Sequence, residues 1–393
     1  MAQSGNFLVI QSGGPTPVIN RSLYGVFDEA SKQSGVKVLG AINGIEGLLQ
    51  DNIVDLGEIS PDRWVGIASM PSASLGSSRR SLNDEDGSSL IEVLKRHNIR
   101  FCHIIGGNDS AENGHRINTE INAMGYEIAV VNVPKTIDND LVLTDHCPGF
   151  GSAARFIALA TMGSGLDAEA MKTSVAGTII EVMGRDSGWL AAASVLGKRE
   201  ESDPPHVLGV PEVPIDEQQF MDRMDQARTR FGFAVAVIAE NSRGIGGVIG
   251  GQQEPWYVDD FGHEYYEGPS RYFARELSLR IGQRVRYEVP GTIQRSFMTS
   301  VSEVDANEAE AVGRAAVRFA LKGETDKIVN LVRISQMPYR VEFRLEPLQS
   351  VAGRVREMPA SFLDRVTSMP TDAFADYALP LLGDPLPDLK RIR

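Results

Sequence analysis

Several short runs of this chain are apolar on both faces, and that pattern restricts the fold more than any other feature. They are NFLVIQ (6–11), VKVLGAI (36–42), FCHIIG (101–106) and EIAVVNV (127–133), then SVAGTIIEVM (174–183), HVLGVPE (206–212) and FAVAVIAE (233–240). A strand with one wet face alternates. A strand apolar on both faces has to be covered on both, as in a parallel sheet held between helices. Segments with helical spacing, PVINRSLYGVFDEASKQ and EAEAVGRAAVRFALK among them, accompany these runs. The pattern appears twice, so the expectation is α/β, with two mainly parallel sheets in one chain. The length of 393 residues suits two domains, given roughly 150 residues for each. The polar, aromatic stretch 251–273 reads as a loop or insertion, and the tail GDPLPDLKRIR shows no clear element.

Charge and composition narrow the function. The 52 acidic residues outnumber the 39 basic ones, for a formal net charge of −13. That argues against a general nucleic-acid binder, which presents a basic surface, but leaves room for anionic small molecules met by a few local arginines. Cys102 and Cys147 are the only cysteines. They imply no disulfide framework and fit a reducing compartment. With no basic, then apolar leader at the N-terminus and no long apolar run, the expectation is a cytoplasmic protein that does not enter a membrane. The phosphate-binding G-x-x-x-x-G-K-[ST] loop, the G-x-G-x-x-G fingerprint, the protein-kinase set and the G-x-S-x-G elbow are all missing. The six histidines are scattered without ligand spacing and read as surface or packing residues.

In a parallel α/β sheet, ligands bind beyond the carboxyl ends of the strands. Three such ends in the first half carry unusual residues: QSGGPTPVIN (11–20), GGNDS (106–110) and PKTIDND (134–140). Glycines there let the backbone approach a ligand, and the following helix N-terminus suits phosphate. Together they indicate an anion site. The second half adds Arg185 in EVMGRDSGWLA, Glu240 in AENSRG, and Arg284, Arg286 and Arg295 in RVRYEVPGTIQRS, at a spacing that fits an extended segment. SLGSSRRS adds Arg79. Arginines at strand ends suit a sugar phosphate, because the guanidinium grips phosphate with two parallel hydrogen bonds.

QSGGPTPVIN, LGSSR, GGNDS, PKTIDND, VMGRDSGWLA, the PE at 211–212, FGH at 261–263 and GTIQRS occur in the order found in the phosphofructokinase family, which the chain resembles over about residues 5–310. The resemblance implies two similar three-layer domains. One, 1–149 with about 293–345, would take the phosphoryl donor. The other, 150–292 with about 346–393, would take the sugar phosphate.

It also implies roles. Asp138 is the expected general base for the sugar 1-hydroxyl, since a carboxylate within hydrogen-bond reach can accept that proton. Thr136, Ile137, Asp138, Met183, Gly184, Arg185 and Glu240 are expected to contact fructose 6-phosphate, and Arg185 also to steady the phosphoryl group in transfer. Arg286 and Arg295 are expected to hold the 6-phosphate, one of them across a subunit interface in a homodimer or homotetramer. Gly13 and Arg79 match the donor site, and Asn108 and Asp140 the position of Mg²⁺, bound largely through phosphate oxygens and water.

ATP-using members resembling this chain have GGDGS and PGTIDND. Here Asp109 and Lys135 replace glycines, as in the pyrophosphate-dependent branch. An aspartate at the first position fills the space of a nucleotide α-phosphate and repels it. A lysine at the second contacts pyrophosphate and offsets charge on the group in transit. The implied activity is reversible transfer from MgPPi to fructose 6-phosphate in glycolysis or gluconeogenesis, a diphosphate–fructose-6-phosphate 1-phosphotransferase. The alternatives are an ATP-dependent 6-phosphofructokinase and a non-catalytic regulatory subunit that binds sugar phosphates. Three departures stand out. Asn108 replaces an aspartate that binds magnesium in many relatives. Ala176 replaces a phosphate-binding arginine, with Lys172 or Arg155 as substitutes. Thr292 replaces a histidine or tyrosine, which implies looser sugar specificity.

Overall fold

The computed structural model describes residues 5–252, 254–258 and 264–390, and the FGH motif at 261–263 lies outside them. The chain divides into two compact units, Met1–Phe150 with Val304–Val355 and Gly151–Glu303 with Arg356–Arg393.

The first unit is built on a seven-stranded sheet in the order Tyr339–Pro347, Lys327–Gln336, Ala129–Pro134, Ile99–Gly106, Asn6–Gln11, Val38–Ala41, Ile53–Asp55. Pairing is parallel from Lys327–Gln336 through to Val38–Ala41, and each outermost pair is antiparallel. The doubly apolar runs find cover on both sides. Leu8, Ile10, Cys102, Ile104 and Val130 enter one buried cluster, which includes Leu90, Ile117 and Ile121. Phe7, Val9, Phe101, Ala129 and Val131 enter another, with Ile19, Leu23, Val312 and Ala316. Alternate residues of the same strands therefore face opposite helix layers, as the period of two requires. The hairpin Lys327–Gln336/Tyr339–Pro347 is not picked out by apolar runs, because Tyr339–Pro347 alternates between apolar and charged residues and Asn330 and Arg333 interrupt Lys327–Gln336.

The second unit holds a four-stranded parallel sheet, ordered Arg284–Glu288, Val175–Val182, Ala234–Ala239, Val207–Gly209. Helices Glu217–Phe231 and Pro269–Ile281 cover it through Phe220, Met224, Phe273 and Leu277. Within the stretch expected as a loop, Tyr257–Val258 pairs with Glu264–Tyr265, and a helix starts at Pro269. Arg295 is not on the extended segment that carries Arg284 and Arg286. The strand ends at Glu288, and a 3₁₀ turn over Gly291–Arg295 follows. Pro290 and a positive φ at Gly291 redirect the backbone there. Among the described residues, no helix is long and apolar enough to cross a membrane.

Candidate active site

In the first unit, strand Asn6–Gln11 connects onward to Val38–Ala41 on one side and its neighbour Ile99–Gly106 connects onward to Ala129–Pro134 on the other, the arrangement that opens a crevice at the strand ends. Gly13 follows that strand with φ of +74°. A methyl group added there would sit 3.3 Å from Lys135 Nζ. Lys135 itself is buried. Its Nζ donates to the Gly14 carbonyl at 2.7 Å, and its backbone N–H donates to Gly106 O at 3.0 Å. One ammonium group thus ties the first strand end to the third. Ser77 Oγ donates to Gly13 O at 2.6 Å, and Gly13 N donates to Ser78 O at 3.0 Å. These bonds bring the serine-rich loop alongside, with Arg79 exposed at its edge.

Asn108 and Asp109 open helix Asn108–Ala123, where Asn108 Oδ1 accepts from Asp109 N at 2.9 Å. Asp109 therefore sits in the first turn, at the positive end of a helix, directly after a strand that pairs with the one leading to Lys135.

The loop 136–149 closes on itself. Thr136 bridges Gly149, Thr136 N donates to Pro148 O at 3.2 Å, and Cys147 N donates to Asn139 Oδ1 at 3.0 Å. Asn139 adopts a left-handed φ of +57°, which an asparagine tolerates better than most residues. Within this ring Ile137 is buried, whereas Asp138 and Asp140 are half-buried. Asp138 N donates to Thr136 Oγ1 at 3.1 Å, so the two carboxylates ride on a backbone fixed from both sides. Among the described residues, no group of three or more His, Cys, Asp or Glu side chains is arranged to hold a metal ion.

In the second unit, Met183, Gly184 and Arg185 follow strand Val175–Val182. Gly184 has φ of +122°, and a Cβ there would fall 2.5 Å from Ser187 O, so the turn requires glycine. Glu240 ends the neighbouring strand, with its N–H donated to Val182 O at 2.8 Å. Glu240 is exposed, yet protein packed round its carboxyl raises its pKa by desolvation, while Arg185 and Arg295 pull it down and Glu181 pushes it up. Arg185, Glu240 and Arg295 are thereby brought into one electrostatic group. Arg286 sits on the edge strand opposite Thr178, ion-paired with Asp167. Of the two substitutes considered for the arginine absent at Ala176, Arg155 is tied to the Leu382 and Asp384 carbonyls. Lys172 lies beside Gly232.

Three supporting residues were given no role in the sequence reading, although Gln294 and Glu212 lie in motifs quoted there. Gln294, 1% exposed, accepts from Met183 N at 3.0 Å and holds the turn before Arg185. Buried Glu181 accepts from Ser270 Oγ at 2.6 Å and Ser270 N at 3.0 Å, seating the start of helix Pro269–Ile281; burial raises its pKa against those bonds. A lone carboxylate inside an apolar strand was a signal available in SVAGTIIEVM. Glu212 accepts from the N–H groups of Gly188 and Met358.

A family model described as Phosphofructokinase matches residues 6–320. The chain is 37% identical, over 98% of its length and 93% of the relative, to the pyrophosphate–fructose 6-phosphate 1-phosphotransferase of Xanthomonas campestris pv. campestris. It is 37% identical, over 99% of its length and 97% of the relative, to the enzyme of that name from Rhodospirillum rubrum. The crystal structure of the pyrophosphate-dependent phosphofructokinase from Nitrosospira multiformis superposes with a TM-score of 0.89 at 34% identity, covering 99% of this chain and 95% of that one. With the motifs on the strand ends where such a fold binds ligands, this chain belongs to the phosphofructokinase family.

Proposed function

We propose that the protein transfers a phosphoryl group reversibly from pyrophosphate to the 1-hydroxyl of fructose 6-phosphate, giving fructose 1,6-bisphosphate and phosphate, in glycolysis or gluconeogenesis. The observation that carries this reading is the pair Asp109 and Lys135. Lys135 holds a buried ammonium on the Gly14 carbonyl, and Asp109 fills the first turn of the adjoining helix. Relatives similar over nearly the whole chain carry the name pyrophosphate–fructose 6-phosphate 1-phosphotransferase.

In this reading the Asp138 carboxylate accepts the proton of the 1-hydroxyl as its oxygen attacks phosphorus and the bridging P–O bond of pyrophosphate breaks. Lys135 and Arg185 stabilise the charge of the group in transit, where preorganised cations matter most. Gly13 and Arg79 receive the donor. Thr136, Ile137, Met183, Gly184 and Glu240 contact the sugar, and Arg295 and Arg286 its 6-phosphate. Arg286 would exchange Asp167 for that phosphate.

The hard oxygen donors Asp140 and Asn108 suit Mg²⁺, which would take the rest of its ligands from phosphate and water oxygens. There the ion would supply positive charge against the phosphates of the donor. The donor residues lie in the first unit with Thr136, Ile137 and Asp138, and the remaining sugar residues lie in the second. A homodimer or homotetramer sharing the sugar-phosphate site, in the cytoplasm, completes the proposal, and the buried Cys102 and Cys147, which form no disulfide, suit a reducing compartment. A donor screen on purified protein tests it: pyrophosphate, ATP and polyphosphate compared with fructose 6-phosphate. Turnover with pyrophosphate is expected, and a preference for ATP would overturn the donor assignment.

A further inference from the structure

We infer that His146 and Glu308 are positioning residues for the transfer reaction, a charged pair that locks the loop 136–149 and so aims Asp138 and Asp140; this rests on the functional reading above. The side chain of His146, which belongs to that loop, is 2% exposed. Its Nε2 stands 2.6 Å from Glu308 Oε2. Glu308 belongs to helix Glu303–Leu321, and its other oxygen accepts from Tyr339 OH at 2.7 Å. Asp145 accepts from Arg333 Nε at 3.0 Å and lies 3.4 Å from His146 Nδ1. Four elements of the first unit thus converge on one imidazole: its own loop, the helix and both strands of the hairpin.

The connection from this pair to the reacting loop is short. Cys147, the next residue, donates its N–H to Asn139 Oδ1, and Asn139 lies between the two carboxylates. Gly149 N donates to Asp305 Oδ1 at 2.8 Å, one helical turn before Glu308. Thr144 Oγ1 donates to His146 O at 3.0 Å and accepts from Leu331 N at 2.9 Å. Asn330 Nδ2 donates to Leu143 O at 2.8 Å. Leu143 and Asn139 both have positive φ, a conformation that unaided side chains resist and that persists only where the surroundings impose it. A packing histidine needs neither a carboxylate on each ring nitrogen nor a burial that an unpaired charge would not tolerate. Burial alone would lower the His146 pKa, but Glu308 and Asp145 overcome it and hold the value up to about 9. The ring is therefore a cation at neutral pH, and the other groups facing it are Tyr339 and Arg333.

The test is Glu308→Gln, similar in shape but uncharged, with three readouts. Amide exchange in residues 139–149 should accelerate at least tenfold while strand Asn6–Gln11 keeps its protection. With the donor that the wild type uses, kcat should fall about 10- to 100-fold with the KM of fructose 6-phosphate changed less than about threefold. The alkaline fall of kcat should move to lower pH, because His146 loses the partner that keeps it protonated. Should this variant fail to fold, Tyr339→Phe, which removes one bond to Glu308 and leaves His146 in place, is expected to show the same local exchange with a smaller loss of kcat. A folded Glu308→Gln, or in its absence Tyr339→Phe, with wild-type exchange and wild-type kcat overturns the inference. An exchange change confined to the loop with unaltered kcat and pH profile also overturns it, leaving a merely structural pair. Failure of wild type to use pyrophosphate would instead strike the donor assignment, and the exchange readout would still judge the lock.

Discussion

The most enclosed ionisable groups at the strand ends of the two units differ in sign. In the first unit the buried group is a cation, Lys135, set against the carbonyl of Gly14 and beside Gly13, with Ser77 on Gly13 and the half-buried Asp138 and Asp140 on the loop that follows. In the second the crowded groups are anions, Glu181 and Glu240, both with raised pKa, and the cations Arg185 and Arg295 stand round Glu240. The difference matches the chemistry proposed for each. A diphosphate is all acceptor, so it wants N–H groups and an ammonium. A sugar phosphate is hydroxyl at one end and anion at the other, so it wants carboxylates as acceptors and guanidinium groups for its phosphate.

The sharpest way to break this comparison is to remove the group that bridges the chemistry. Asp138→Asn is expected to lower kcat by ~10²–10⁴-fold while sugar binding, measured by calorimetry, largely survives. Near-normal turnover would take Asp138 out of the base role. Next comes the cation of the donor side. Lys135→Ala should depress pyrophosphate turnover by ~30- to 1000-fold, chiefly in kcat, corresponding to a lost contact of ~2–4 kcal/mol in the transition state.

The third effect is on stability and separates the units by their histidines. His146 of the first unit is raised from 6.5 to about 9. Its contribution is fully present below pH 6.5, declines as the unfolded chain alone loses the proton, and is gone above about 9. The loss is on the order of 3 kcal/mol. His206 of the second unit is lowered to about 4, by burial first and then by Lys198. Its contribution is present above pH 6.5 and lost as pH falls through 4. Denaturant unfolding across pH 5–10 should therefore show an alkaline decline that His146→Gln removes. A flat alkaline limb would contradict a charged His146. Smaller still, Glu240→Gln should raise the KM of fructose 6-phosphate about tenfold. In the wild type that KM should rise as pH falls toward the elevated Glu240 pKa.

Much of this arrangement was legible in the sequence, for physical reasons that differ by element. The central strands announce themselves because burial on both faces leaves long apolar runs, as in Phe7–Ile10 and Ala234–Ala239. Strand Tyr339–Pro347 sits at the sheet edge and is half-wet, so its alternating YRVEFRLEP carries no such signal. Motif residues such as Gly13, Lys135, Gly184 and Arg185 fall at strand ends as expected, because glycine conformations and strand exits leave local traces. The extended path expected to reach Arg295 fails at Pro290 and Gly291, whose turn ends the strand early. The His146–Glu308 pair joins residues 162 positions apart. Spacing says nothing about partners that only the fold brings together, and for that reason His146 looked like any packing histidine.

The central claim is that Asp109 and Lys135 choose the phosphoryl donor, and the most direct test is kcat/KM for pyrophosphate and for ATP with fructose 6-phosphate, on wild type and Asp109→Gly. The wild type should turn over pyrophosphate and bind ATP poorly. Asp109→Gly should admit ATP, because both the volume and the like charge that exclude an α-phosphate are gone. A wild type that prefers ATP, or an Asp109→Gly variant that binds ATP no better, would contradict the account.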